Sequence, residues 1–342
     1  MDSNWYFVSK SKGIDSGTVY RNDAKTQLFS ITSGINEFFT DPLYYDETEN
    51  TLWFASYANN KLNLSKNINP SSLSGSGSLD MKEVSGFDFT DIGVAFAVQG
   101  SDIYIVYTDL TNYYIQRGTL SGDGPFTFVP VGSAKSAEDM GLYGAITDVA
   151  ILYDGTVYAL VSNVGSDGGA SGYSDDDFSY PSDDTFYSRG ALVKIEGTNS
   201  GFRVVDVLGW TDSSRKISPA GGAANESDVL LQPVNAYIPS LSESNGKFYG
   251  PRRFVAIKPK EIAIADCGAN FVLPDKNTGK AGKMFEKNRV VTVSLYDFAV
   301  SSVKKLDGVK FSNLTLSGTG GAISGYIYAD GCTTTDKEIE ER

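Results

Sequence analysis

The sequence predicts an all-β fold: a single β-propeller of four-stranded antiparallel blades, five or six in number, with the ring closed by strands from both termini. Three observations predict it. The chain of 342 residues carries 20 Tyr, 19 Phe and 36 Gly but only four Met, a composition that favours pleated strands and tight turns over helices. Units of four short apolar runs recur at roughly 40 to 60 residues, the period of propeller blades. The N-terminal unit brings three strands and lacks an inner one, whereas the last apolar runs lack outer partners, so the two ends complement each other.

In chain order, Trp5 to Val8, Gly17 to Arg21 and Gln27 to Ile31 read as the incomplete first unit, with a hairpin around Asn22-Asp23. The second unit runs Pro42 to Tyr45, Thr51 to Ser56, Lys61 to Ser65 and, after a Ser/Gly loop, Met81 to Val84. The third runs Ile92 to Val98, Ile103 to Tyr107, Tyr113 to Leu120 and Phe126 to Val131. The fourth opens with Ile146 to Tyr153, and Asp154-Gly155 predicts a two-residue hairpin into Thr156 to Val161. Ala191 to Ile195 and Phe202 to Leu208 complete it. The fifth runs Phe254 to Ile257, Glu261 to Asp266, Asn288 to Leu295 and Val300 to Leu306. Ile323 to Gly331 resembles the start of the fourth unit, which favours five blades, while Tyr326 to Asp330 also resembles Glu261 to Asp266, which favours a sixth. The expected domain is residues 1–332, with insertions at 164–188, 211–247 and 271–287, followed by a charged, frayed tail at 333–342.

Composition removes several function classes. A net charge of -13 repels phosphate backbones, so no nucleic-acid partner is expected. The chain contains no His, which removes Ser-His-Asp and Cys-His catalysis, His-ligated metals and the usual proton shuttle near neutral pH. Its two cysteines, Cys267 and Cys332, allow one internal disulfide, worth about 4 kcal/mol in the chain-entropy model for so long a loop. There is no apolar run long enough for a transmembrane helix. The Ser/Gly/Thr/Tyr-rich, Lys-poor composition suits an exported monomer, secreted, periplasmic or surface-associated, whose leader is absent from this sequence; the alternative is a cytoplasmic protein.

The stretch 250–295 resembles the NHL-type propeller repeat. The matching residues are Pro251, the inner strand Phe254 to Ile257, Ala265-Asp266, Gly268, Asn270 and Asn288-Arg289-Val290. The resemblance implies turn-shaping roles for the Asp, Gly and Asn and a packing role for the Arg. The insertion 271–287 interrupts the pattern. Asp15-Ser16-Gly17-Thr18-Val19-Tyr20 is similar, more weakly, to the Asp-box hairpin of sialidase-like propellers, with Gly13 where a Ser belongs and Tyr20 in place of Trp. Both likenesses bear on fold rather than chemistry.

Three candidate sites remain. The insertion 164–188 holds Asp175, Asp176, Asp177, Asp183 and Asp184, hard oxygen ligands suited to Ca²⁺, although the spacing is not that of an EF-hand loop. Tyr173 and Tyr180 lie among them as candidate ligand contacts. Arg252 and Arg253 form a basic spot in an acidic chain, able to take a carboxylate or sulfate or, alternatively, to pair with neighbouring acids. The expectation is a non-enzymatic binding propeller that uses long loops on one face to hold a protein or glycan ligand. The alternative is a His-independent, glycan-active enzyme of sialidase or glycosidase type, built on carboxylates with Tyr or Arg.

Overall fold

The computed structural model describes residues 6–10, 17–21, 27–31, 37–46, 48–68, 77–88, 91–109, 112–142, 144–166, 186–209, 248, 250–272, 282–305 and 337–339. They form an all-β, propeller-like set of antiparallel meanders. The first is β1 (Tyr6–Lys10), β2 (Gly17–Arg21) and β3 (Gln27–Ile31), with β7 (Gly77–Ser78) parallel to β3. The second is β4 (Glu37–Asp46), β5 (Thr51–Ala58), β6 (Lys61–Ile68) and β8 (Lys82–Asp88). The third is β9 (Ile92–Gln99), β10 (Asp102–Thr108), β11 (Tyr113–Ser121) and β12 (Phe126–Pro130), with β13 (Lys135–Ser136) added to β11. The fourth is β14 (Ala145–Ile151), β15 (Val157–Ser166), β16 (Phe186–Thr198) and β17 (Gly201–Gly209). The fifth is β18 (Pro251–Lys258), β19 (Glu261–Val272), β20 (Gly282–Ser294) and β21 (Ala299–Lys305), with β22 (Lys337–Ile339) on β20.

The strands read as unbroken apolar runs because both faces of a sheet are buried. In β15, Val157, Ala159 and Val161 enter one hydrophobic core, which also takes Phe39, Phe96 and Phe128. The alternate residues Tyr158 and Leu160 enter a second core with Phe254, Ile264 and Val291 of the fifth sheet. The period-two alternation of a strand therefore sends its side chains to two different neighbours, as a sheet stacked between two others requires.

Four features differ from the sequence reading. Strand β4 begins at Glu37 rather than Pro42, and its register slips between Phe38 and Leu43. Pro42 lies in that interval and has no N–H to give the ladder, so the strand bulges there. The turn at Asp154-Gly155 is wider than a two-residue hairpin: the Leu152 N–H bonds the Thr156 carbonyl at 2.8 Å, and Gly155 takes a φ of 82°. Strand β8 runs to Asp88 and pairs in parallel with β12, Val84 opposite Phe126 and Ser85 opposite Thr127, so the second and third sheets share one continuous ladder. Finally, part of the tail expected to fray is paired. Strand β20 extends beyond the end of β21, leaving an open edge at Gly282 to Met284, and β22 occupies it.

Side chains tie the sheets together at both ends of the strands. Where the inner strands end, Asp46 Oδ2 accepts the Gly100 N–H at 3.1 Å, and Gln99 Nε2 donates to the Leu152 carbonyl at 2.7 Å. Arg117 donates to the carbonyls of Thr198 at 2.6 Å and Gly201 at 3.0 Å, joining the third sheet to the fourth. The Tyr44 hydroxyl spans from β4 to β14, donating to the Ile151 carbonyl at 2.9 Å and accepting the Ile151 N–H at 3.0 Å.

Candidate functional site

Chemistry-bearing side chains gather at the end where the inner strands begin. Strand direction makes this so. An inner strand starts there, the second strand ends there and the third starts there. The fourth ends there, so the link to the next inner strand also leaves from that end. The β15–β16 ladder runs past the start of β14 to Ser166 opposite Phe186. The β19–β20 ladder likewise runs past the start of β18 to Val272 opposite Lys283. The segment 211–247 connects the end of β17 to the start of β18. All three expected insertions therefore leave the described strands at one end, although two of them begin as extended hairpins.

A Thr-Asp pair recurs in the sequence of three inner-strand regions: Thr40-Asp41 within β4, Thr90-Asp91 before β9 and Thr147-Asp148 within β14. The third pair is a latch between sheets. The Asp148 carboxylate is buried, and it accepts the Val149 N–H at 2.8 Å and the Phe254 N–H of β18 at 2.8 Å. The Thr147 hydroxyl donates to the Pro251 carbonyl at 2.9 Å. Asp91, at the equivalent position before β9, makes no such latch among the described residues. Its charge instead acts on Tyr107 and Tyr114, at the end of β10 and the start of β11.

Those two rings stack with centroids 5.5 Å apart and planes at 29°. Asp109 stands beside them. It accepts the Asn112 N–H at 2.6 Å and the Tyr114 hydroxyl at 3.3 Å. Burial, then the negative charges of Asp91 and Asp109, push the Tyr107 hydroxyl above its ordinary range. The Tyr114 hydroxyl moves the same way, through partial desolvation first and then Asp109. The arrangement is an aromatic platform edged by two carboxylates. Sequence reading missed all four residues, and the repeated Thr-Asp pair is the signal that could have found the first of them.

Of the residues singled out from the sequence, Arg252 and Arg253 lie at the same end, in the first turn of β18. Arg253 is buried, and its Nη1 donates to the Thr147 carbonyl of the neighbouring sheet, so it serves the latch. Arg252 precedes it at an irregularity in the β18–β19 register, and the charge of Arg253 acts on it. Asp266 and Arg289 form a buried ion pair at 2.8 Å, and Asp266 also accepts the Gly250 N–H at 2.7 Å. Both residues thus serve packing between β19 and β20. Cys267 lies on β19 opposite Asn288. Its proposed partner Cys332 lies outside the described residues, as do Tyr173, Tyr180, Asp175, Asp176, Asp177, Asp183 and Asp184. Among the described residues, no helix is long and apolar enough to cross a membrane, which says nothing of a β-barrel.

The TdpA C-terminal domain family matches residues 233–313, a stretch that contains strands β18 to β21 of the fifth sheet. No curated protein matches the chain. Among solved structures, the chain is similar to the Bacteroides ovatus xyloglucan PUL protein GH43B, at 15% identity over 90% of this chain and 69% of that one, with a TM-score of 0.37. It is similar to the Bombyx mori GH32 β-fructofuranosidase at 11% identity, over 78% of this chain and 48% of the enzyme, with a TM-score of 0.34. A mannose phosphorylase from Leishmania mexicana is similar at 10% identity, over 81% of this chain and 71% of that one, with a TM-score of 0.31. The expectation of a non-enzymatic binding propeller is corrected on this comparison, since the similar structures named for an activity include two glycoside hydrolase classes and a phosphorylase. At these identities and TM-scores the likeness assigns this chain no substrate and no catalytic residue.

Proposed function

We propose that the chain is a carbohydrate-active enzyme of glycosidase type that works without histidine. The observation that carries this reading is the pair Asp91 and Asp109 flanking the stacked Tyr107 and Tyr114 rings, at the end from which the long insertions leave. Glycoside cleavage needs two carboxyl groups, one to donate a proton to the leaving oxygen and one to act as base or nucleophile. Aromatic faces suit the C–H face of a sugar ring. Asp109 accepts hydrogen bonds from the Asn112 N–H and the Tyr114 hydroxyl, which fix its carboxylate beside the platform, so it takes the base or nucleophile role. Asp91, on the other side of the rings, is the second carboxyl the reaction needs. The latch at Asp148 supports this division, because the equivalent carboxylate there is occupied in joining sheets. The reading also takes the ring as closed, with five sheets and a strand from the C-terminal region lying against β1.

The test is hydrolysis of a panel of 4-nitrophenyl glycosides and polysaccharides. Release of product is expected on at least one member, with Asp91→Asn and Asp109→Asn each lowering the rate about 10²- to 10⁴-fold. A panel that releases nothing above buffer would overturn the reading. So would activity that both variants retain.

A further inference from the structure

Arg252 lies near the start of β18. It is half-buried, and its Nε is fully enclosed with no hydrogen-bond partner among the described residues. The charged group acting on it is Arg253, a second guanidinium. Burial, followed by the charge of Arg253, holds its pKa below the ordinary arginine range. A guanidinium does not escape such a setting by losing its proton, so two positive charges stand side by side at the head of β18. Arg253 has an evident structural task, donating to the Thr147 carbonyl. Arg252 has none. The chain is not short of acids, with 42 Asp and Glu, yet none pairs with Arg252 among the described residues. The side chain keeps part of its surface accessible, at the same end of the strands as Asp91, Asp109 and the Tyr107–Tyr114 platform.

We infer that Arg252 binds the carboxylate of an acidic sugar, so that the substrate class of the proposed site is a uronic-acid-type glycoside. This rests on the glycosidase reading for its location and deepens it. The planar fork of a guanidinium matches a carboxylate through two parallel N–H···O bonds, which a neutral sugar cannot replace.

Binding of glucuronate, glucose and inorganic sulfate to the full chain, followed by NMR titration, tests it without requiring turnover. Glucuronate is expected to bind and glucose to bind at least about tenfold more weakly, the ratio a charge-assisted hydrogen bond gives. Arg252→Met should abolish the preference. It should not lower the melting temperature, because an apolar chain of similar length replaces a buried charge that has no partner. Arg252→Lys keeps the charge but not the fork, and should fold and bind glucuronate weakly. Equal binding of glucose and glucuronate overturns the inference. Glucuronate binding that survives in Arg252→Met does so too, as does sulfate binding as tightly as glucuronate. Asp109→Asn separates this from the parent reading: it should lose turnover and keep glucuronate binding. If glucuronate binds through Arg252 but no glycoside is cleaved, the carboxylate site stands and the hydrolase reading falls.

Discussion

At the scale of single residues, two buried carboxylates behave in opposite ways. Asp266 is met by Arg289 and by the Gly250 N–H, so its charge is compensated where it lies. Among the described residues, Asp46 is met by backbone donors alone, the N–H groups of Thr48, Glu49 and Gly100. Burial therefore wins, and its carboxyl is pushed above the usual range despite those donors. A carboxyl raised on folding favours its protonated form. Its contribution to stability is complete below the unfolded value of about 3.9 and is lost as pH rises through the raised folded value. Asp46→Asn cannot titrate and removes that slope. Melting temperatures of both proteins across pH 3.5 to 7 should show the wild type gaining on the variant as pH falls; a constant offset would mean that Asp46 titrates normally. Asp266 and Arg289 were legible in the sequence as turn and packing residues, though not as partners of each other, which needs the β19–β20 register. Asp46 was not, since its burial depends on Gly100 of another sheet. Asp91 and Asp109 escaped notice for a similar reason: each is an ordinary turn residue until β10 and β11 bring the two tyrosines between them.

At the scale of elements, the join of β8 to β12 shows what local pattern cannot encode. The alternation in 82–88 is readable, but nothing in it names a parallel partner some forty residues on. Gly86 makes the join fit. Its φ is +82°, and a Cβ there would stand 2.2 Å from the Phe128 carbonyl oxygen of β12. Gly86→Ala should cost more than the roughly 1–3 kcal/mol of a strained left-handed residue, because backbone must also move. Gly100→Ala is the control: its φ is +56° with nothing near the added carbon, so it should cost about 1 kcal/mol. Urea midpoints measure both, and equal losses would show that the contact with Phe128 is slack. The β15–β16 and β19–β20 hairpins were read as insertions because Gly, Ser and Asp interrupt the apolar period. Their ladders take in the edges of those segments, 164–166 with 186–188 and 271–272 with 283–284, since backbone pairing needs no apolar side chain.

At the scale of the whole molecule, the recurrence of four-stranded units was legible and their mutual attachments were not. Attachment relies on single polar atoms reaching between sheets, as the Tyr44 hydroxyl does at both the N–H and the carbonyl of Ile151. Tyr44→Phe keeps the ring and removes only the oxygen. It should destabilise the chain by about 1–3 kcal/mol, the cost of leaving buried polar groups without a partner. Amide exchange at Ile151 should accelerate along with the fall in urea midpoint. An unchanged midpoint would mean that the second and fourth sheets are held by apolar packing alone.

The shared ladder of the second and third sheets also bears on how this chain avoids sticking to itself. An outer strand ordinarily offers a row of unpaired backbone groups to any passing strand. By pairing with each other, β8 and β12 cover two such rows internally. Strands β17 and β21 have no partner on their outer side among the described residues, and they carry Arg203, Asp206 and Lys304. Protection against edge-to-edge aggregation is thus built into the backbone pairing in one half of the molecule. In the other half it falls to charged side chains, and so varies with the salt concentration around them.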